Sequence, residues 1–272
     1  YKTALEEIDV YMRKTTALVA AGFADIALLR LQLESLELRL ESLTNDKAEL
    51  ERRLITFNRR YDEMLGDLTQ RILKARAEHA RLLAAKEKSR QERENAEATA
   101  HDAEEAYKDY SRWHEELQQA EPLPKLNDEA ERELKSLYRK ACSLCHPDKV
   151  TEEKKEAAHR VFVELQDAYK GNDLTRLRKI YDTLKLGGLP VTRSNTLSET
   201  EALKAAIAEL EYSIAKLVFE LKALHESDGI TLMVAAGITE AEWQSFLERQ
   251  RQTLETELTT VVSDILAAQT EV

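Results

Sequence analysis

Glycine and proline are almost missing from this chain: 7 and 4 residues in 272, against average usage of about 7% and 5%. Sandwiches, barrels and doubly wound sheets need turns at short spacing, and these residues make them. Their scarcity excludes such folds and leaves an all-α chain. Cysteine is nearly absent too. Cys142 and Cys145 are the two present, three positions apart, which is too few for a disulfide framework and fits a reducing compartment. Aromatic residues number 16, or 6%, so a thick central core is not expected. No apolar run reaches the ~18 residues of a membrane span. Tyr1 to Lys14, with Glu6, Glu7 and Asp9, lacks the basic-then-apolar order of a secretion signal, and a cytoplasmic location is expected. Positive charge is also short: the net charge is −11, which argues against wholesale binding of nucleic acid, because phosphate neutralisation needs a basic face.

What is abundant is charge (33%) and an apolar fraction (43%) made mainly of Leu and Ala. From Leu29 the apolar residues follow a 4-3 rhythm: Leu29, Leu33, Leu36, Leu40, Leu43, then Leu50, Leu54, Phe57, Tyr61, Met64 and Leu68. This is a heptad seam, which specifies helix pairing within a chain or between copies of it. Thr44, Asn45 and Asp46 either cap a new helix or are read through, so a hairpin and a single rod both fit. Leu31 and Leu38 widen the apolar face and suggest a second contact surface. If Asp46 to Gln119 form one helix, it is about 110 Å long at 1.5 Å per residue. Gly66 costs about 1 kcal/mol inside a helix and marks a close helix crossing or a local break.

Pro122 and Pro124 end this arm, residues 1–121. A second unit, 122–188, reads as three helices: one capped by Asn127 or Asp128 and running to Cys145, one from Glu152 to about Lys170, and one ending near Leu186. Gly187, Gly188, Pro190 and Thr192 to Thr196 read as a linker. In the last arm, 189–272, Ser198 with Glu201 and Thr239 with Glu242 make capping boxes. They open two helices with seams Leu203, Ile207, Leu210, Ile214, Leu217 and Trp243, Leu247, Leu254, Val261, Ile265. An antiparallel helical hairpin is expected there, with Ile230 to Ala236 as an unusually apolar tip. Leu232 and Met233 in that tip are candidates for a contact with a partner or with the rest of the chain.

Charge singles out the middle. Lys125 to Lys185 holds 14 basic and 12 acidic residues, or +2, which leaves −13 for the rest; Leu197 to Val272 alone holds 5 basic and 14 acidic, or −9. The C-terminal arm is therefore not expected to meet nucleic acid or an anionic membrane. In the middle unit, Leu134, Leu137, Tyr138, Ala141 and Leu144 form an apolar helix stripe flanked by Lys135, Arg139 and Lys140. Val161, Phe162, Leu165, Ala168 and Tyr169 form the next. Two such helices joined by a short proline-stopped turn pack antiparallel, which is expected to leave His146, Pro147 and Asp148 exposed at the tip.

The tripeptide His146-Pro147-Asp148 in that helix-loop-helix setting, with Tyr138-Arg139-Lys140 before it and Phe162, Leu165 and Ala168-Tyr169 after it, resembles the J domain of DnaJ-type co-chaperones. The resemblance covers about residues 125–186. It implies that His146, Pro147 and Asp148 engage a DnaK-type chaperone and trigger its ATP hydrolysis. Lys135, Tyr138, Arg139 and Lys140 then belong to a docking face for an acidic surface. Typical J domains open with a short helix bearing Tyr-Tyr and Leu-Gly, and Pro122 to Asn127 has nothing of the kind. Either Tyr107, Tyr110 and Trp113 at the end of the rod pack on Tyr138 or Phe162 and replace that helix, or the domain is truncated.

Cys142-Ser143-Leu144-Cys145-His146 also matches the Cys-x-x-Cys-His pattern of covalent haem attachment. Such attachment needs export, a distal ligand and an apolar pocket. Zinc finds three ligands here and a fourth in His159, without the spacing of a second ligand pair. Buried free cysteines fit better, and no metal or cofactor is expected. No P-loop, Gly-x-Ser-x-Gly or His-Glu-x-x-His pattern is present, and His79, His101, His114 and His225 lack matched partners in sequence, so the chain is not expected to be an enzyme. Two functions stay open: a J-domain co-chaperone whose coiled-coil arms bind a client or partner protein, and a coiled-coil scaffold with a vestigial J fold.

Overall fold

The computed structural model describes residues 2–87, 89–187, 192–197 and 199–270, with side chains from residue 25 onward. The all-α expectation holds: the one extended pairing among the described residues is an isolated bridge between Val150 and Thr192. Lys2–Lys86 is a single 85-residue helix, α1. Thr44 does not cap a new helix; its hydroxyl donates to the Leu40 carbonyl at 2.8 Å within the same helix, as threonine does when it sits mid-helix. The rod stops at Lys86, well short of Gln119. A second helix, α2 (Arg90–Gln119), starts after Ser89, whose extended backbone marks the helix entry.

The chain forms two compact units, Tyr1–Arg52 with Pro124–His225, and Arg53–Leu123 with Glu226–Val272. In the first, α3 (Asp128–Cys145), a 3-10 turn (Pro147–Lys149), α4 (Glu152–Lys170) and α5 (Leu174–Leu186) follow one another closely. Asn127 caps α3 by accepting from the Ala130 amide at 2.8 Å, and Asp173 caps α5 by accepting from the Arg176 amide at 2.9 Å. Asn172 turns the chain between α4 and α5 with φ +55°, a left-handed conformation that asparagine tolerates. Leu134, Tyr138, Leu165, Tyr169 and Leu177 fill the core of these helices, and Ala48 of α1 is part of that core.

Thr192 to Thr196 is not a free linker. It contains the short helix α6 (Arg193–Thr196), and Arg193 and Ser194 are buried. Gly188, Pro190 and Ser198, assigned to the linker and to a capping box, lie outside the described residues. The next helix, α7 (Thr200–His225), runs parallel to α1, from Arg30 donating to the Leu197 carbonyl at 2.9 Å to Lys47 paired with Glu220 at 2.6 Å. Leu203, Ile207, Leu210 and Ile214 close on Leu33 and Leu40. Leu31 and Leu38, which widened the apolar face, remain exposed.

In the second unit α2 returns antiparallel along α1, with Gln70 donating to Ser111 at 3.2 Å and Arg81 paired with Glu104. The apolar stretch expected to be a hairpin tip is a helix, α8 (Asp228–Ala236), which buries Ile230, Met233 and Ala236. Gly229 lies against Leu54, where an added Cβ stands 3.1 Å from a leucine methyl. The last helix, α9 (Glu240–Thr270), opens on the expected box: Glu242 accepts from the Thr239 amide at 2.8 Å, and Thr239 Oγ1 accepts from the Glu242 amide at 3.2 Å. Its stripe faces α1, with the Phe57 and Trp243 rings 5.3 Å apart edge to face. The expected antiparallel hairpin is therefore not what buries the two C-terminal seams: α7 and α9 each close on a stretch of α1.

Candidate partner-docking site

The apolar stripe of α3 turns Tyr138 inward, where it is 1% exposed and stacks on Tyr169 with ring centroids 4.0 Å apart. Tyr138 is thus a core residue and not part of a docking face. Arg139 and Lys140, the next two positions on the helix, point outward and are exposed. Lys135 sits between these extremes. Its ammonium is paired with Glu49 of α1 at 2.9 Å and with Glu131 at 3.0 Å, so its charge is shared with carboxylates of this chain.

Pro147 ends α3, and the turn that follows does not stand free. His146, expected at an exposed tip, is 5% exposed. Its imidazole lies 4.9 Å from the Phe162 ring and meets Thr44 of α1 through Nε2 at 3.2 Å. Nδ1 accepts the Asp148 amide at 3.3 Å. Because the Thr44 hydroxyl is already given to Leu40, its oxygen is free to accept, and the set is consistent with one neutral tautomer carrying its proton on Nε2. Burial pushes the His146 pKa down to about 4, against the pull of Asp148 and Glu41 and with the push of Lys149. Lys149 is buried as well, its ammonium 2.9 Å from the Glu41 carboxylate. Pro147 and Asp148 are half-buried.

More contacts hold this turn and its domain. Arg193 donates from Nε to the Val150 carbonyl at 3.1 Å, just after the turn, and pairs with Glu209 at 2.5 Å and Glu152 at 2.6 Å. Glu37 of α1 accepts from the Ser194 hydroxyl at 2.8 Å. Buried Arg52 pairs with Glu131 at 2.8 Å and donates to Asn172 at 3.1 Å, while Glu49 accepts the Tyr169 hydroxyl at 2.5 Å. Burial disfavours ionisation of Glu49, but bonds from Arg52, Tyr169 and Lys135 outweigh it and hold the carboxyl below its usual range. Thus α1, from Glu37 to Arg52, packs against the turn and the helices on either side of it. Of the aromatic residues at the end of α2, Trp113 packs on Tyr61 and Tyr110, 6.5 and 5.4 Å away, in the second unit.

Residues 124–182 match the family model of the DnaJ domain. The chain carries a DnaJ domain. No curated protein and no solved structure matches the chain. In this DnaJ domain the Cys-x-x-Cys-His run is turned inward: Cys142 and Cys145 are buried free thiols. Burial raises both thiol pKa values, that of Cys145 to about 12, which keeps the thiols protonated near neutral pH. Among the described residues no helix is long and apolar enough to cross a membrane.

Sequence reasoning missed two groups of residues. Thr44, Glu37 and Arg52 interrupt the leucines on the buried stripe of α1, together with Leu33, Leu40 and Ala48; polar residues at stripe positions were the available signal. The other is His114, read as partnerless. It is buried and lies 2.5 Å from Asp62 through Nδ1 and 3.2 Å from Asp67 through Nε2. Nothing in its sequence neighbourhood announces carboxylates about fifty positions away.

Proposed function

We propose that this chain is a co-chaperone that docks on a DnaK-type chaperone through the turn His146-Pro147-Asp148 and the exposed Arg139 and Lys140, and stimulates its ATPase. The observation that carries this reading is the position of the tripeptide in the α3–α4 turn of a DnaJ domain, about two helical turns beyond that exposed basic pair. An exposed basic face steers an acidic partner and raises the association rate. Pro147 stiffens the turn and lowers the ordering cost of presenting Asp148. On this reading the chain performs no chemistry of its own, acts in the cytoplasm, and uses its helical arms to hold a client or partner protein. Single-turnover ATP hydrolysis by purified DnaK tests it: the parent chain accelerates hydrolysis, and Asp148→Asn removes the acceleration while helicity is kept. No acceleration by the parent, or equal acceleration by both, would return the chain to the scaffold alternative.

A further inference from the structure

We propose that α1 latches the docking turn shut in cis, so that the chaperone meets a self-inhibited DnaJ domain whose basic pair is free and whose His-Pro-Asp turn is held. This inference rests on the docking reading above. The latch has two polar members. Thr44 holds the His146 ring at 3.2 Å, and Glu41, nearly one turn earlier on α1, holds Lys149 at 2.9 Å. They bracket Pro147 and Asp148, and both His146 and Lys149 are buried by the arrangement. Arg139 and Lys140 carry no such cover.

The two kinds of contact that α1 makes with the domain differ in what opening costs. Ala48 is inside the apolar core, and nothing in water replaces that packing. The bonds to His146 and Lys149 are exchanged for bonds to water when the turn swings away. The turn can therefore open while α1 stays anchored at Ala48. A partner that binds only the open turn has its apparent affinity reduced by the open fraction, so weakening the latch must tighten binding, by up to the inverse of that fraction.

The double variant Glu41→Gln, Thr44→Val removes the ion pair and the hydroxyl with little change of volume. Two readouts are taken on the full chain: carbethoxylation of His146 by diethylpyrocarbonate, followed by mass spectrometry, and affinity for purified ATP-loaded DnaK. The expected result is faster His146 modification and binding tighter by about tenfold, about 1.4 kcal/mol, with Asp148→Asn abolishing binding in the opened background. Faster modification without tighter binding overturns the inhibition, while parent binding still upholds the docking reading. Unchanged modification shows that these contacts do not shut the turn and also overturns it. No binding by either the parent or the opened chain removes the docking reading, and the latch with it. Should the double variant fold poorly, the charge swap Glu41→Lys, Lys149→Glu decides: it must restore the His146 protection that Glu41→Lys alone loses.

Discussion

The Asp62 carboxylate and the His114 imidazole meet at 2.5 Å in space left open by the missing side chain of residue 66. A Cβ on Gly66 would stand 2.6 Å from the Asp62 oxygen and 2.7 Å from the ring of His114. The crossing of α1 and α2 is therefore built around a glycine, a histidine and a carboxylate whose second oxygen accepts from Gln118 at 2.9 Å. Of the two readings open for Gly66, the close crossing is the one observed.

Gly66→Ala tests that relationship, because two effects oppose each other. Alanine gains about 1 kcal/mol of helix propensity. Overpacking costs about 1–3 kcal/mol, and a displaced hydrogen bond to a charged group costs about 1.5–3 kcal/mol more. The expected outcome in urea unfolding is a net loss of about 1.5–5 kcal/mol, relieved in the background of His114→Ala. A more stable single variant would show that the cluster gives way without cost.

The same cluster makes the second unit sensitive to alkali. Burial works to lower the His114 pKa, but the bond and charge of Asp62, joined by Asp67, outweigh it and raise the value. A histidine with a raised folded-state pKa contributes stability that is fully present below its unfolded value of about 6.5 and is lost as pH rises through the folded one. The stability difference between the parent and His114→Gln should therefore shrink as the pH is raised above neutrality. A difference independent of pH would assign His114 a packing role alone.

The residues that could be read in the sequence are those whose signal is local. Asn127 and the pair Thr239 and Glu242 cap the helices as their chemistry requires, and the α3 and α4 stripes bury Leu134 and Leu165. The Trp243, Leu247 and Ile265 stripe is buried as its period dictates. What could not be read is which surface each stripe meets. Periodicity gives a face and no partner, so nothing in the stripes of α7 and α9, or in the His146 turn, names α1 as the surface they meet. The break after Lys86 carries no glycine or proline, and Ser89 was its faint local mark. Ala48, too small to stand out in a leucine seam, enters the DnaJ core.

Leu232 and Met233 are adjacent in sequence and opposite in consequence. Leu232 is 37% exposed and Met233 is 2% exposed on the buried side of α8. Met233→Ser should cost about 2–5 kcal/mol, the range for emptying a buried methionine site, with a lowered melting temperature. Leu232→Ser should leave melting nearly unchanged, within about 0.5 kcal/mol. Equal effects would mean that α8 does not dock as described.

Acid should loosen the His146 turn, and the sign follows from the ring's surroundings. Glu41 of α1 and Asp148 and Lys149 of the turn are the charged groups acting on it; Thr44 and Phe162 are its uncharged neighbours. Burial holds its pKa at about 4, below the value of about 6.5 for a solvated histidine. A depressed value means that the opened turn binds the proton more readily, so the closed arrangement is fully stable above about pH 6.5 and weakens as the pH falls toward 4. Protonation also places a hydrogen on Nδ1, where the Asp148 amide now donates, and sets donor against donor. Amide-exchange protection of Asp148, corrected for the intrinsic rate at each pH, is expected to fall between about pH 7 and pH 5. The dependence should vanish in His146→Gln, whose side chain does not titrate. Protection that stays flat in the parent would show that the opened turn does not take up the proton.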